Sequence, residues 1–249
     1  MAVEPRRPIA RFDREEFITE RFDYKRGEHL SIIGPTGNGK TYLGQQLLKA
    51  TANEKLPAVM FAMKPKDSTI DEFLKQAKAE GYDYRKVSSW PPAPSPWKPG
   101  KPDGWVIQPK HTFDVDRDEP QHAEIFYKAL LDSYKKGNRI LFGDEAYSLC
   151  EELGLKRYMI TLWTKGRSMG AGMWAATQKP THVPLWMYSQ ASHLFLSYDP
   201  DKRARDRYRE ISGIDPDVIQ HALNSLEEEF SWVYIRPEGR RSQICIVGP

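Results

Sequence analysis

The sequence, 249 residues long, predicts an α/β fold: a mainly parallel sheet flanked by helices and closed by a C-terminal β-hairpin. Three observations carry that expectation. Short apolar runs alternate with segments of helical periodicity through the middle of the chain. A glycine-rich turn joins the first clear strand to the first clear helix. Two alternating segments, Phe230–Ile235 and Ser242–Val247, face each other across a Pro-Glu-Gly turn at the end. No linker separates two cores, so residues 21–249 read as one domain preceded by an arm over residues 1–20.

Taken in order, the arm mixes Arg6, Arg7, Arg11 and Arg14 with acids and shows little apolar periodicity. The stretch Ile18–Gly27 predicts an edge strand ending in a glycine turn, and Leu30–Ile33 a short buried strand. A helix follows over Lys40–Ala50, with Leu43, Leu47 and Leu48 on one face. Ala58–Met63 is a second strand, and Ser68-Thr-Ile-Asp71 has the spacing of a capping box opening a helix that Gly81 stops. Six prolines between Pro91 and Pro102 predict an extended surface insertion over about residues 88–104, since proline supplies no N–H to a sheet or helix interior. Trp105–Ile107, Arg139–Phe142, Ala171–Ala176 and His193–Leu196 are further strands. Helices are expected over Gln121–Lys136 and Leu155–Arg167, and after the pairs Asp199-Pro200 and Asp215-Pro216.

Composition narrows the class. Lys and Arg number 37 against 34 Asp and Glu, a formal charge of +3 that permits a nucleic-acid partner without arguing for one. No window reaches the roughly 18 apolar residues of a membrane span, and the start lacks a secretory segment. Two cysteines, Cys150 and Cys245, are too few for a disulfide framework and read as reduced thiols of a cytoplasmic protein. Six histidines and two cysteines show no metal-ligand spacing, so no zinc is expected.

The chemistry concentrates in three places. Gly34-Pro35-Thr36-Gly37-Asn38-Gly39-Lys40-Thr41 matches the G-x-x-x-x-G-K-[ST] phosphate loop at every specified position, with Tyr42 next in the helix. Its glycines let successive backbone N–H groups turn inward at a helix start, where the dipole also favours phosphate. Lys40 adds a cation for the terminal phosphates, and the Thr41 hydroxyl offers an oxygen to Mg²⁺. The strand Ile140–Phe142 leads through Gly143 to Asp144 and Glu145. Asp144 suits the metal's water shell and Glu145 the activation of an attacking water, so ATP and Mg²⁺ are the expected ligands. Gly143 has no explanation in the sequence. Last, Gln178 follows a buried strand and could reach the γ-phosphate or the water; alone it reads equally as a loop residue. Arg167 could serve as an arginine finger or be an ordinary surface arginine.

Together these residues resemble the FtsK–HerA family of P-loop ATPases. The likeness rests on the phosphate loop, the Asp144-Glu145 pair, Gly166-Arg167-x-x-Gly170 and the strand end Ala-Thr-Gln178-Lys-Pro180. It implies a RecA-like sheet, a ring homo-oligomer (commonly a hexamer) and ATP-driven movement of double-stranded DNA. In that picture Arg167 acts on the neighbouring subunit's nucleotide. A compact stand-alone motor of phage or mobile-element origin, in the host cytoplasm, fits the absence of a membrane-spanning segment. The competing expectation is an ATP-gated switch or assembly factor acting on a protein partner; a small-molecule phosphotransferase has less need of Glu145. Lys98, Lys101 and Lys110, interleaved with Trp97 and Trp105, could face DNA, though a solvated loop is the simpler reading. The Arg-rich segment Asp201–Arg209 reads as a solvent or subunit-interface face.

Overall fold

The computed structural model describes residues 8–94, 96–97, 99–178, 184–208, 211, 214–238 and 242–249. In chain order the elements are β1 (Arg11–Phe12), α1 (Arg14–Glu16), β2 (Leu30–Ile33), α2 (Lys40–Thr51), β3 (Ala58–Phe61) and α3 (Ser68–Ala79). They continue with β4 (Tyr84–Val87), β5 (Gly104–Ile107), α4 (Val115–Lys136), β6 (Arg139–Gly143), α5 (Lys156–Lys165) and β7 (Ala171–Thr177). The last are α6 (Trp186–Ser189), β8 (His193–Leu196), α7 (Lys202–Arg207), α8 (Pro216–Asn224), β9 (Trp232–Arg236) and β10 (Gln243–Val247). Among the described residues no helix is long and apolar enough to cross a membrane.

The strands form one ten-stranded sheet in the order β1-β10-β9-β8-β2-β7-β6-β3-β5-β4. Only β9 runs against its neighbours, β8 and β10, which is the expected hairpin joined to a parallel body. Because side chains alternate across a strand, each central strand feeds two cores. Ile33, Val59, Leu141, Met173 and Leu194 pack with α4, α5, α6 and α8 on one face. Leu30, Ile32, Met60, Ile140, Phe142 and Trp174 pack with α2 and α3 on the other. Such two-sided burial explains why these strands read as unbroken apolar runs.

Several local expectations are corrected. Ile18–Gly27 is not an edge strand: Phe17–Arg21 forms a π-helical turn instead. The Phe17 ring is buried against Phe195 and Tyr234, with centroids 5.9 and 4.7 Å away, and this packing overrides the local strand preference. The edge position is filled by β1, which pairs in parallel with β10. The cap of α3 is Asp67, whose carboxylate accepts from the N–H groups of Thr69 and Ile70, rather than Ser68. Likewise Asp201, not Asp199, caps α7, whereas Asp215 caps α8 as expected. Strand β4 was not anticipated, because Arg85 and Lys86 interrupt its apolar pattern, as suits a sheet edge. Within the proline-rich segment Trp97 is 92 % exposed, but Trp90 is buried, its indole N–H bonded to Asp132 at 3.2 Å. Lys98, Arg209, Lys179, Pro180 and the Gly239 turn lie outside the described residues.

Candidate nucleotide-binding site

Parallel strands deliver their following loops to one edge of the sheet, and the sheet order decides which loops meet there. Strand β7 lies between β2, which leads into the glycine-rich loop, and β6, which leads into Asp144-Glu145. Ile33 pairs with Thr177, and Gly143 with Ala175, so the loop and the acid pair flank the end of β7, where Gln178 emerges.

The loop closes in the way its residues require. Gly37 and Gly39 have φ of 87° and 77°, a region that costs other L-residues strain. Gly39 serves as the N-cap of α2, which leaves the first-turn N–H groups unused by any cap side chain. A Cβ at Gly34 would lie 2.6 Å from the Cβ of Ser197, so the strand end can approach β8 only without a side chain. The Asn38 amide donates to the Ser197 hydroxyl and ties the loop to β8. Lys40 is nearly buried, and its ammonium donates to the Pro35 carbonyl at 2.8 Å. Burial lowers its pKa, while Asp144 and Glu145 oppose that shift.

The Thr41 hydroxyl lies 2.8 Å from both carboxylate oxygens of Asp144. Burial raises the pKa of Asp144, against the opposing influence of Thr41, Lys64 and Lys40. Glu145 is raised too, first by burial and then by the charge of Asp144. Gln178 spans the site: its Nε2 donates to Glu145 Oε1 at 2.6 Å, and its Oε1 accepts from the Thr36 hydroxyl at 2.8 Å. An all-oxygen pair on Thr41 and Asp144 beside a buried lysine fits a hard divalent cation with a polyphosphate.

Around this centre the structure adds residues the sequence did not single out. Lys64, just past β3, acts electrostatically on Lys40, Asp144 and Glu145 and lines the narrow cleft between Thr41 and Asp144. Its position after a parallel strand was the available signal. Gln108 Nε2 fixes its carbonyl at 2.7 Å. On the loop's other side a cavity of about 490 Å³ is lined by Thr36, Asn38, Tyr198, Glu228 and Phe230. Phe230 has φ 62°, and its carbonyl accepts from the buried Arg14 at 2.6 Å. Arg14 also lies over the ring of the half-exposed Tyr42, 5.9 Å from its centroid. The glycine at 143 is now explained, since a Cβ there would sit 2.6 Å from Leu149 Cδ1.

Arg167 is not brought to this centre. It precedes β7, so seven strand residues, about 23 Å of chain, separate it from Gln178. There it is 66 % exposed and 3.9 Å from Glu28, which also holds His193 at 2.9 Å and Arg236 at 3.6 Å.

No family model matches the sequence, and no curated protein is significantly similar to it. Solved structures do match. The genome-packaging NTPase B204 of Sulfolobus turreted icosahedral virus 2, in complex with sulfate, superposes with a TM-score of 0.59 at 16 % identity, over 89 % of this chain and 97 % of that one. The DNA-packaging ATPase B204 of Sulfolobus turreted icosahedral virus matches at 0.59 and 17 %, over 89 % and 98 %. VirB4 of Thermoanaerobacter pseudethanolicus matches at 0.58 and 9 %, over 87 % and 88 %. With its mostly parallel sheet and the glycine-rich loop after β2, the chain has the P-loop NTPase fold that these solved structures share.

Proposed function

We propose that this protein hydrolyses ATP and uses the energy to move double-stranded DNA, working as a ring homo-oligomer in the cytoplasm. The ATPase unit is taken as residues 21–249, with residues 1–20 as a lead-in that contributes β1 to its sheet and Phe17 to its core. The observation that carries the reading is the bridge from Thr36 through Gln178 to Glu145, beside Thr41 and Asp144. It joins a phosphate-binding loop to a carboxylate able to take a proton from water. Small-molecule transfer does not require that second group. DNA as the moved substrate is supported by the fold shared with the two viral packaging enzymes.

In this reading the amides of Pro35–Thr41 (bar the proline) and the Lys40 ammonium hold the phosphates. Thr41 and Asp144 would hold Mg²⁺, which would supply positive charge to the phosphate site. Glu145 orients water in line with the γ-phosphorus and accepts its proton, a contribution of about 10²–10⁴ in rate. Gln178 holds Glu145 at a fixed distance from the loop, and so couples the general base to the phosphate site. Arg167, exposed before the amino end of β7 and so away from the loop and acids, is suited to reach the site of an adjacent subunit rather than its own.

The test is ATP turnover with and without double-stranded DNA, together with imaging of particles in a non-hydrolysable ATP analogue. Strong stimulation and rings enclosing DNA are expected. Turnover indifferent to DNA would transfer the reading to an ATP-gated switch acting on a protein. No turnover at all would end both.

A further inference from the structure

Away from the phosphate loop, the segment joining β5 to α4 brings together three side chains that the sequence spacing had not suggested as a set. One ligand atom from each of His111, Asp118 and His122 lies within 4.8 Å of the others. Asp118 and His122 are four residues apart on α4, hence on one face, and both are buried. His111 arrives from the loop, and its ring meets that of His122 edge-on at 4.4 Å.

The hydrogen bonds around these groups leave a nitrogen of each imidazole free. His122 Nε2 lies 3.2 Å from the Lys110 carbonyl, which can only accept, so the proton sits on Nε2 and Nδ1 keeps its lone pair. Bonding the remote ring nitrogen to a carbonyl is how metal-ligating imidazoles are oriented. Asp118 accepts four hydrogen bonds from three donors: the Thr112 N–H reaches both oxygens, the Thr112 hydroxyl reaches Oδ1 and the Phe113 N–H reaches Oδ2. A carboxylate has about four acceptor sites, so an ion on Asp118 would replace one branch of the shared Thr112 bond. His111 Nδ1 is 3.7 Å from Asp118 Oδ2, beyond a hydrogen bond, and its Nε2 is buried without a partner.

We propose that His111, Asp118 and His122 form a binding site for a borderline divalent metal ion of the zinc type, distinct from the Mg²⁺ site at Thr41 and Asp144. Two imidazoles and one carboxylate are the donor set such ions select over hard cations. A tetrahedral zinc needs donors about 3.3 Å apart, so binding would draw the loop-borne His111 inward from the 4.8 Å spread of the cluster. Three protein ligands leave a fourth position for water. The ion would pin the β5–α4 segment, whose Gln108 holds the backbone of Lys64 beside the acid pair. This revises the expectation of no zinc drawn from spacing alone, because the set is assembled by a turn of backbone rather than by a repeat.

Titration of the full-length protein with Co²⁺, in excess Mg²⁺ to occupy oxygen-only sites, tests this. Wild type is expected to develop the visible absorption of a low-symmetry cobalt centre, saturating at one ion per chain and abolished by Zn²⁺. His111→Ala, at a partly exposed position, should lose it. Should that variant melt abnormally, Thr112→Val keeps all three donors but removes a support of Asp118, and should weaken binding by roughly 10- to 100-fold. A wild-type protein without these bands, or a folded His111→Ala with unchanged ones, overturns the proposal.

Discussion

Replacing Gln178 by alanine probes the link between the phosphate loop and the proposed general base. The side chain makes two hydrogen bonds, 2.6 Å to Glu145 and 2.8 Å to Thr36. The first involves a carboxylate, and bonds to charged groups contribute about 1.5–3 kcal/mol. If that orientation is needed only while water attacks, turnover should fall by roughly 10- to 160-fold. Nucleotide affinity, set by the amides and Lys40, should stay within about twofold. An amide donor favours ionised Glu145, and burial already raises that group. Removing the donor raises it further, so the acid limb of the rate profile should move to higher pH. A coupled phosphate-release assay over pH 5–9, with fluorescent-nucleotide titration alongside, measures both effects. In a Glu145→Gln background, itself nearly inactive, the Gln178→Ala change should cost almost nothing more. Full turnover in Gln178→Ala, or equal costs in both backgrounds, would refute the argument.

Other perturbations follow from the same structure. Arg167→Ala should lower turnover by up to about 10³–10⁵ and regain part of it when mixed with Glu145→Gln, read by the same assay; wild-type turnover in the single variant removes the finger role. Gly143→Ala places a methyl 2.6 Å from Leu149 Cδ1 and should destabilise by about 1–3 kcal/mol, seen as a lower urea midpoint. His29 is held down to about 4, first by burial and then by Arg167. Because the unfolded imidazole takes its proton near 6.5, stability should fall as pH drops from about 6.5 to 4, by up to about 3 kcal/mol. Urea melts of His29→Gln should lack that component, and an identical pH dependence in the variant would show that another group is responsible.

Much of the site was legible in local sequence because phosphate binding is a local act. One loop offers amides, a cation and a hydroxyl, so Gly34–Thr41 could be singled out as the proposed phosphate loop without knowing any neighbour. Asp144 and Glu145 were legible for a related reason: acids ending an apolar run point to a strand's carboxyl end, where parallel sheets place ligands. The N-terminal segment departs from its local strand pattern because Phe17 is held by Phe195 and Tyr234, far away in sequence. Strand β4 was missed because an edge strand needs charge more than periodicity.

By itself the sequence determined the alternation of strands and helices, the phosphate loop, the acid pair and the closing hairpin, since each depends on residues adjacent in the chain. Tertiary structure alone decided that β7 lies between the loop's strand and the acids' strand. That order turned Gln178 from a loop residue into a bridge between the loop and the acids. Hydrogen bonds between strands and the turns connecting them fix these meetings, and neither is written in any short stretch of side chains.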